Sequence, residues 1–179
     1  MRLEVWPAAR LDAEARSGII ALCEAAYAEP FPRLFEQMPG SVHILARDEH
    51  GALVAHAEWI TRWLQPAGLP PLRTAYVEMV ATVPSARGRG LGRAVMRRAL
   101  EAIESEPPWE LAALCPSAPE FYERLGWQRW RGPLAIRKRE ALEPTPDDEV
   151  VMIRRLAGTP ATLDDTSLLT AEWREGEPW

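Results

Sequence analysis

Cysteine is scarce in this chain of 179 residues, with only Cys23 and Cys115. Two thiols cannot build a disulfide framework or a four-cysteine zinc site, and they read as buried thiols. Histidine is nearly as rare. His43, His50 and His56 are scattered without the spacing of metal ligands, so structural or surface roles are expected for them and no metal. No apolar run approaches the ~18–20 residues of a membrane span, and Met1 to Val5 carries no secretory h-region. The expected compartment is the cytoplasm, with no membrane partner. No Gly-Lys-Ser/Thr is present, which excludes a Walker loop. A G-x-G-x-x-G run with a later acidic ribose partner is missing too, which disfavours a dinucleotide site.

What is present is an ordinary globular composition, 47% hydrophobic and 26% charged. It is incompatible with global disorder and suits one domain over residues 1–179. Net charge is −5, but it is unevenly spread. From Pro84 to Ser105, Arg87, Arg89, Arg93, Arg97 and Arg98 face only Glu101 and Glu104. From Asp147 to Trp179 eight acids face Arg154, Arg155 and Arg174. One stretch suits an anion and the other a cation, and a solvated surface is the bland alternative for both.

Leu3–Trp6 reads as a strand, and Asp12 as the N-cap of a helix through Tyr27 with Ile19, Ile20, Leu22 and Cys23 on its apolar side. Ala28–Pro39 is a proline-rich loop with at most a short helix. Val42–Ala46 and Leu53–Trp63 form a hairpin around Asp48-Glu49-His50-Gly51. Gln65–Leu72 is a connection, and Thr74–Val83 is a central strand ended by Pro84. A helix after Gly90 places Leu91, Val95, Ala99 and Ile103 at four-residue spacing. Glu110–Cys115 is a short buried strand, and Ser117 caps a helix that ends on a left-handed Gly126. Trp127–Trp130 and Val150–Arg155 are further strands. The remaining stretch docks through Leu163, Leu168, Leu169 and Trp173. This order gives a mixed α/β (α+β) fold with an antiparallel front half, without the repeated βαβ units of a doubly wound sheet.

Between the central strand and the helix lies Arg87-Gly88-Arg89-Gly90-Leu91-Gly92. Three glycines at alternate positions let successive N–H groups turn toward one centre, at a helix N-terminus whose dipole favours anions. The run reads as a phosphate cradle, with a plain helix-capping turn as the bland alternative. The pattern Arg87-x-x-Gly90-x-Gly92 after a strand ending Val83-Pro84, joined by Phe121-Tyr122-Glu123-Arg124-Leu125-Gly126-Trp127, resembles the GNAT superfamily of N-acetyltransferases. The resemblance implies a central, mostly antiparallel twisted sheet flanked by helices, and acetyl-CoA as co-substrate. It puts the pyrophosphate on the amides of Arg87, Gly88, Arg89, Gly90, Leu91 and Gly92, and the pantetheine arm along Val80, Ala81 and Thr82. Tyr76-Val77-Glu78, Trp127-x-x-Trp130-x-Gly132-Pro133, Thr145-Pro146-Asp147-Asp148 and Trp173-Arg174-x-Gly176-x-x-Trp179 look like the aminoglycoside 2′-N-acetyltransferases within it. That resemblance implies that the Trp179 carboxylate and nearby acids hold cationic sugar amines, and that the protein forms a homodimer.

Acetyl transfer to an amine needs a base for the ammonium proton, a donor to polarise the thioester carbonyl and an acid for the departing thiolate. Glu78, just before the pantetheine segment, is the candidate base, acting directly or through water; a structural ion pair is its alternative. A backbone N–H near Val80 is the candidate polariser. Tyr122 is the candidate acid, since a phenol near ~10 is protonated at neutral pH; a buried aromatic is the bland reading. An acyl-enzyme on Cys23 or Cys115 lacks a nearby His signature. Glu78, Met79, Asp147, Asp148, Glu177 and Trp179 are assigned to the acceptor, where clustered carboxylates select cations and the Trp179 indole offers a stacking face. Trp59, Trp109 and Trp127 are expected in the core.

The chain also departs from the aminoglycoside pattern. Near Leu34, within Pro30–Phe35, an acidic residue is missing and Arg33 has the wrong sign for a cationic drug. Ala113 stands for a small polar residue and Glu177 for an aspartate. The expected activity is acetyl transfer to a cationic aminosugar. Acetylation of another small amine or a protein N-terminus, and a non-catalytic acyl-CoA-binding module, are the alternatives. The arginine cluster belongs to the glycine loop and overall charge is negative, so no nucleic-acid partner is expected.

Overall fold

The computed structural model describes residues 1–179 apart from Pro107, Glu140, Asp147, Gly176 and Glu177. The chain divides into two compact units, Met1–Ile60 with Val77–Ser105 and Thr61–Tyr76 with Glu106–Trp179. No helix among the described residues is long and apolar enough to cross a membrane.

The first unit runs β1 (Arg2–Pro7), α1 (Ala13–Tyr27), α2 (Leu34–Gln37), β2 (Val42–Arg47), the start of β3 (Leu53–Pro66), the end of β4 (Leu72–Thr82) and α3 (Leu91–Ser105). Asp12 caps α1 as expected, its Oδ1 accepting the Ala15 N–H at 2.8 Å. The helix ends on Ala28, a left-handed residue at φ 60°. β1, β2 and β3 pair antiparallel, with Val5 opposite Ile44 and Ile44 opposite Ala57. The β2–β3 turn is closed by Asp48, whose Oδ1 accepts the N–H groups of His50 and Ala52. The same side chain that disfavours regular structure makes this turn. α3 packs on β1 and β2, burying Val95, Met96, Ala99, Leu100, Ala102 and Ile103. Leu91 is only half-buried because it lies in the first turn.

The second unit takes the end of β3 and the start of β4 with β5 (Leu111–Leu114), α4 (Pro119–Glu123), β6 (Gln128–Arg129), β7 (Leu134–Lys138), β8 (Ala141–Pro144), β9 (Met152–Arg155) and β10 (Leu169–Glu172). Its strand order is β6-β9-β5-β4-β3-β10-β7-β8. β4 with β5 and β10 with β7 are parallel. β10 meets β3 antiparallel, as do β9 with β5, β6 with β9 and β8 with β7. The mixed α/β reading holds.

Several details differ from the sequence reading. β3 continues to Pro66 and β4 begins at Leu72, so the connection is shorter than Gln65–Leu72. Ala118, not Ser117, is the N-cap of α4, without a side-chain hydrogen bond. Pro119 supplies the start instead, its fixed φ suiting the first helical position. Gly126 is left-handed at φ 84° as expected. β7, β8 and β10 escaped notice because each is short and half-apolar. β10 explains the docking of Leu169, which is fully buried, whereas Trp173 is 48% exposed beneath Lys138 and is no anchor.

Candidate active site

The glycine loop leaves β4 through a single 3₁₀ turn at Pro84–Ala86. Gly88 and Gly90 are left-handed at φ 77° and 78°, and a Cβ on either would meet nothing within 4 Å. These glycines are required for conformation, since a side chain at that φ is strained even where space is free. Gly92 is already the second residue of α3. The open side of the loop and the acid-free first turn of α3 fit a pyrophosphate on main-chain amides. Arg89 is exposed. The Arg87 guanidinium instead donates to the Ala26 carbonyl at 2.6 Å and closes the end of α1.

In the strand before the loop, Glu78, Met79, Val80 and Thr82 are half-buried and Ala81 is buried. Met79 has φ +50°, an unusual conformation for a residue with a side chain. Side chains hold the two carbonyls around this kink. The Tyr27 hydroxyl donates to Val80 O at 3.1 Å, and His56 Nδ1 to Met79 O at 2.9 Å.

His56 belongs to a cluster that the sequence reading missed when it took the histidines as scattered. His43 lies opposite Glu58 across the β2–β3 pair, and His56 is two residues from Glu58 on the same face. All three side chains are fully buried. His43 Nδ1 is 3.0 Å from His56 Nε2 and 3.1 Å from Glu58 Oε2, and Ser41 Oγ is 2.9 Å from His43 Nε2. Burial pushes His43 down to about 3, helped by His56 and Arg16, and burial takes His56 to about 4 against the pull of the Met79 carbonyl. Among the described residues these three offer ligating atoms within 4.8 Å of one another. The signal was available: alternate positions on a strand share a face, and the hairpin turn sets which histidine lies opposite.

In the second unit Tyr122 sits on α4, edge-on to Phe121 and Trp127. Burial raises its hydroxyl to about 12, so it is protonated throughout the neutral range. Asp148 is exposed; Asp147 and Glu177 lie outside the described residues. The Trp179 indole is buried, 6% exposed, and donates to Thr145 Oγ1 at 2.7 Å. Its main-chain oxygen accepts from Arg174 at 3.2 Å. This ring belongs to the packing of the unit and does not present an open stacking face. Beside it Arg62, 1% exposed, donates to Pro178 O at 2.7 Å and Glu172 O at 2.8 Å, and stacks over Tyr76.

Both cysteines are free thiols. Cys23 is buried and pushed up to about 12 by burial and the charges of Glu58 and Glu24. Cys115 is half-buried, unlike the expectation, and donates to Glu149 Oε2 at 3.0 Å. Trp59 and Trp127 are buried as expected, while Trp109 is half-buried under the Arg73 guanidinium.

Residues 9–130 match the family model described as Acetyltransferase (GNAT) domain. Over 174 residues the chain is 33% identical to the aminoglycoside 2′-N-acetyltransferase of Mycolicibacterium fortuitum, covering 94% of this chain and 87% of the relative. Among solved structures, ElaA of Escherichia coli aligns with a TM-score of 0.63 at 16% identity, over 86% of this chain and 99% of that one. The E. coli GNAT family N-acetyltransferase YhbS, solved in complex with CoA, aligns with a TM-score of 0.62 at 16% identity, over 96% and 90%.

Proposed function

The chain belongs to the GNAT family of acetyltransferases, and we propose that it moves an acetyl group from acetyl-CoA to the 2′-amine of an aminoglycoside-type aminosugar. The observation that carries the acceptor is the 33% identity, across 94% of the chain, to an enzyme named for that reaction. The donor is carried by the left-handed glycines of the loop and by the strand that leads into it.

In this reading the loop amides and the start of α3 hold the pyrophosphate, and Val80, Ala81 and Thr82 hold the pantetheine arm. Glu78 takes the proton that the acceptor ammonium loses, directly or through a water. The Val80 N–H donates to the thioester oxygen while the new C–N bond forms and the C–S bond breaks. Tyr122 gives its phenolic proton to the departing sulfur and is reprotonated by the second proton that the nitrogen sheds as the amide forms, while Glu78 releases the first to solvent. Burial favours the protonated phenol, which makes Tyr122 a reliable donor and a weaker acid than a free tyrosine. Asp147, Asp148, Glu177, Met79 and the Trp179 carboxylate serve the acceptor. We take both units as one catalytic domain, 1–179, because β3 and β4 run unbroken from one into the other.

The Pro30–Phe35 segment favours a second reading, a different small amine as acceptor. Arg33 there is paired with Glu36 at 2.8 Å, so its charge is partly offset, but no acid replaces the missing one. Steady-state transfer from acetyl-CoA to a panel of aminoglycosides decides between them. Acetylation of 2′-amino compounds, with 2′-hydroxy compounds inert, is expected. If every 2′-amino compound is inert and another amine turns over, the aminosugar reading falls.

A further inference from the structure

The histidine pair ends on the peptide that the proposed mechanism uses. A carbonyl oxygen only accepts, so the contact from Met79 O at 2.9 Å requires the proton on His56 Nδ1. In a neutral ring Nε2 is then an acceptor, and the 3.0 Å contact requires the proton on Nδ1 of His43. His43 Nε2 must in turn accept from the Ser41 hydroxyl at 2.9 Å. One orientation therefore satisfies the whole chain, Ser41 to His43 to His56 to Met79, and the low pKa values of both rings agree with two neutral imidazoles. Glu58 Oε2, an acceptor-only oxygen when ionised and 3.1 Å from the same His43 Nδ1, favours the same tautomer electrostatically.

A peptide unit is planar and trans. The Met79 carbonyl and the Val80 N–H belong to one such unit and point in opposite directions, so a donor that fixes one fixes the other. Donation into the carbonyl also polarises the amide and strengthens its N–H as a donor. The need for anchoring is local: Met79 at φ +50° has no intrinsic preference for this conformation, and a side chain from β3 supplies what the local sequence does not.

We propose that His56, backed by His43, is a positioning residue for acetyl transfer: by holding the Met79 carbonyl it aims and polarises the Val80 N–H toward the thioester oxygen. The inference rests on the reading of Val80 given above.

The test uses the full-length protein with acetyl-CoA labelled with ¹³C at the carbonyl, and needs no acceptor amine, so an error about the aminosugar leaves it intact. In the parent the bound carbonyl resonance is expected downfield of free acetyl-CoA. His56→Leu, similar in bulk but without a donor, should move it back toward the free position. His56→Asn, whose Nδ2–H can stand where Nδ1–H stood, should restore it. In turnover with whichever amine the panel identifies, His56→Leu should lower kcat by about 10–100-fold, the scale of misdirecting an oxyanion donor. KM for acetyl-CoA should change far less. Equal carbonyl shifts in the parent and His56→Leu, or a change confined to KM, would overturn the proposal. So would an unshifted carbonyl in the parent. Should His56→Leu fail to fold, long-range ¹H–¹⁵N spectra of the parent decide: both rings must be Nδ1–H tautomers at neutral pH. An imidazolium, an Nε2–H tautomer of His43, or a divalent ion bound between the rings rejects it.

Discussion

In Met1–Ile60 with Val77–Ser105, the groups assigned to the donor are mostly main-chain. They are the amides around left-handed Gly88 and Gly90, and a β4 kink whose carbonyls are held by Tyr27 and His56. In Thr61–Tyr76 with Glu106–Trp179, the polar groups are side chains, and most have internal work. Arg62 holds Glu172 and Pro178, Thr145 holds the Trp179 indole, and Arg131 grips Asp165 with two bonds, of 2.9 and 2.6 Å. A site made of backbone survives substitution of its neighbours. A site made of side chains changes with one residue. In the proposed reading, donor binding therefore rests mostly on main chain, and acceptor binding mostly on side chains that a single substitution changes.

The largest effects expected come from the one reactive side chain assigned in each unit. Glu78→Gln and Tyr122→Phe should each lower kcat by ~10²–10⁴ while leaving acetyl-CoA affinity nearly unchanged, as isothermal calorimetry can check. Groups that act in one step are not additive, so the double variant should lose far less than the product of the two. Parent-like rates for Glu78→Gln would remove the base from the first unit. Full additivity would mean the two residues serve different steps.

Next in size is the Arg62 anchor. Its head group is nearly inaccessible, and its loss strands the carbonyls of Glu172 and Pro178. Arg62→Leu should cost about 2–4 kcal/mol, with Tm falling roughly 2–4 °C for each of them. If the chain is one domain, scanning calorimetry gives a single transition that moves as a whole. Two transitions, with only one displaced, would split the units and break the one-domain reading.

The histidine pair, both members of which lie in the first unit, makes stability depend on pH. Both rings titrate in the folded protein at about 3 and 4, against ~6.5 in an unfolded chain. Between those values the unfolded state binds more protons, so stability is complete above ~6.5 and declines as pH falls, by about 1.4 kcal/mol per pH unit for each ring. Urea midpoints between pH 7 and 4.5 should drop steeply in the parent and less so in His43→Leu. Parallel curves for the two proteins would mean that His43 is protonated when folded.

The glycine loop, Asp12, Pro84 and Gly126 were legible in the sequence because each is a local rule: a cap, a stop or a left-handed position. The antiparallel front half followed from alternation and one turn. The positive φ of Met79 was not legible, because methionine has no preference for it and the cause is His56, distant in sequence. The histidine cluster needed the β2–β3 register, and it was set aside as scattered because ligand spacing was judged along the chain and not across the sheet. Trp179 shows the converse: its ring suggests a stacking face in the sequence, yet the indole is buried and donates to Thr145, which leaves only its carboxylate for the proposed acceptor role.

The smallest effect sharpens the same contrast, because each unit carries one thiol. Cys23 is sealed on the buried face of α1 with its pKa raised to about 12, so almost no thiolate exists at pH 8 and no reagent reaches it. Cys115 is half-buried and hydrogen-bonded to Glu149, which slows but does not close access. A disulfide reagent should label one equivalent of native protein, at Cys115, and the second only as the protein unfolds. Acetyl transfer should survive the first label, since neither thiol has a part in the proposed reaction. Rapid labelling of Cys23 in the native state would show that the packing around His56 opens readily, and the rigid donor half would then need another explanation.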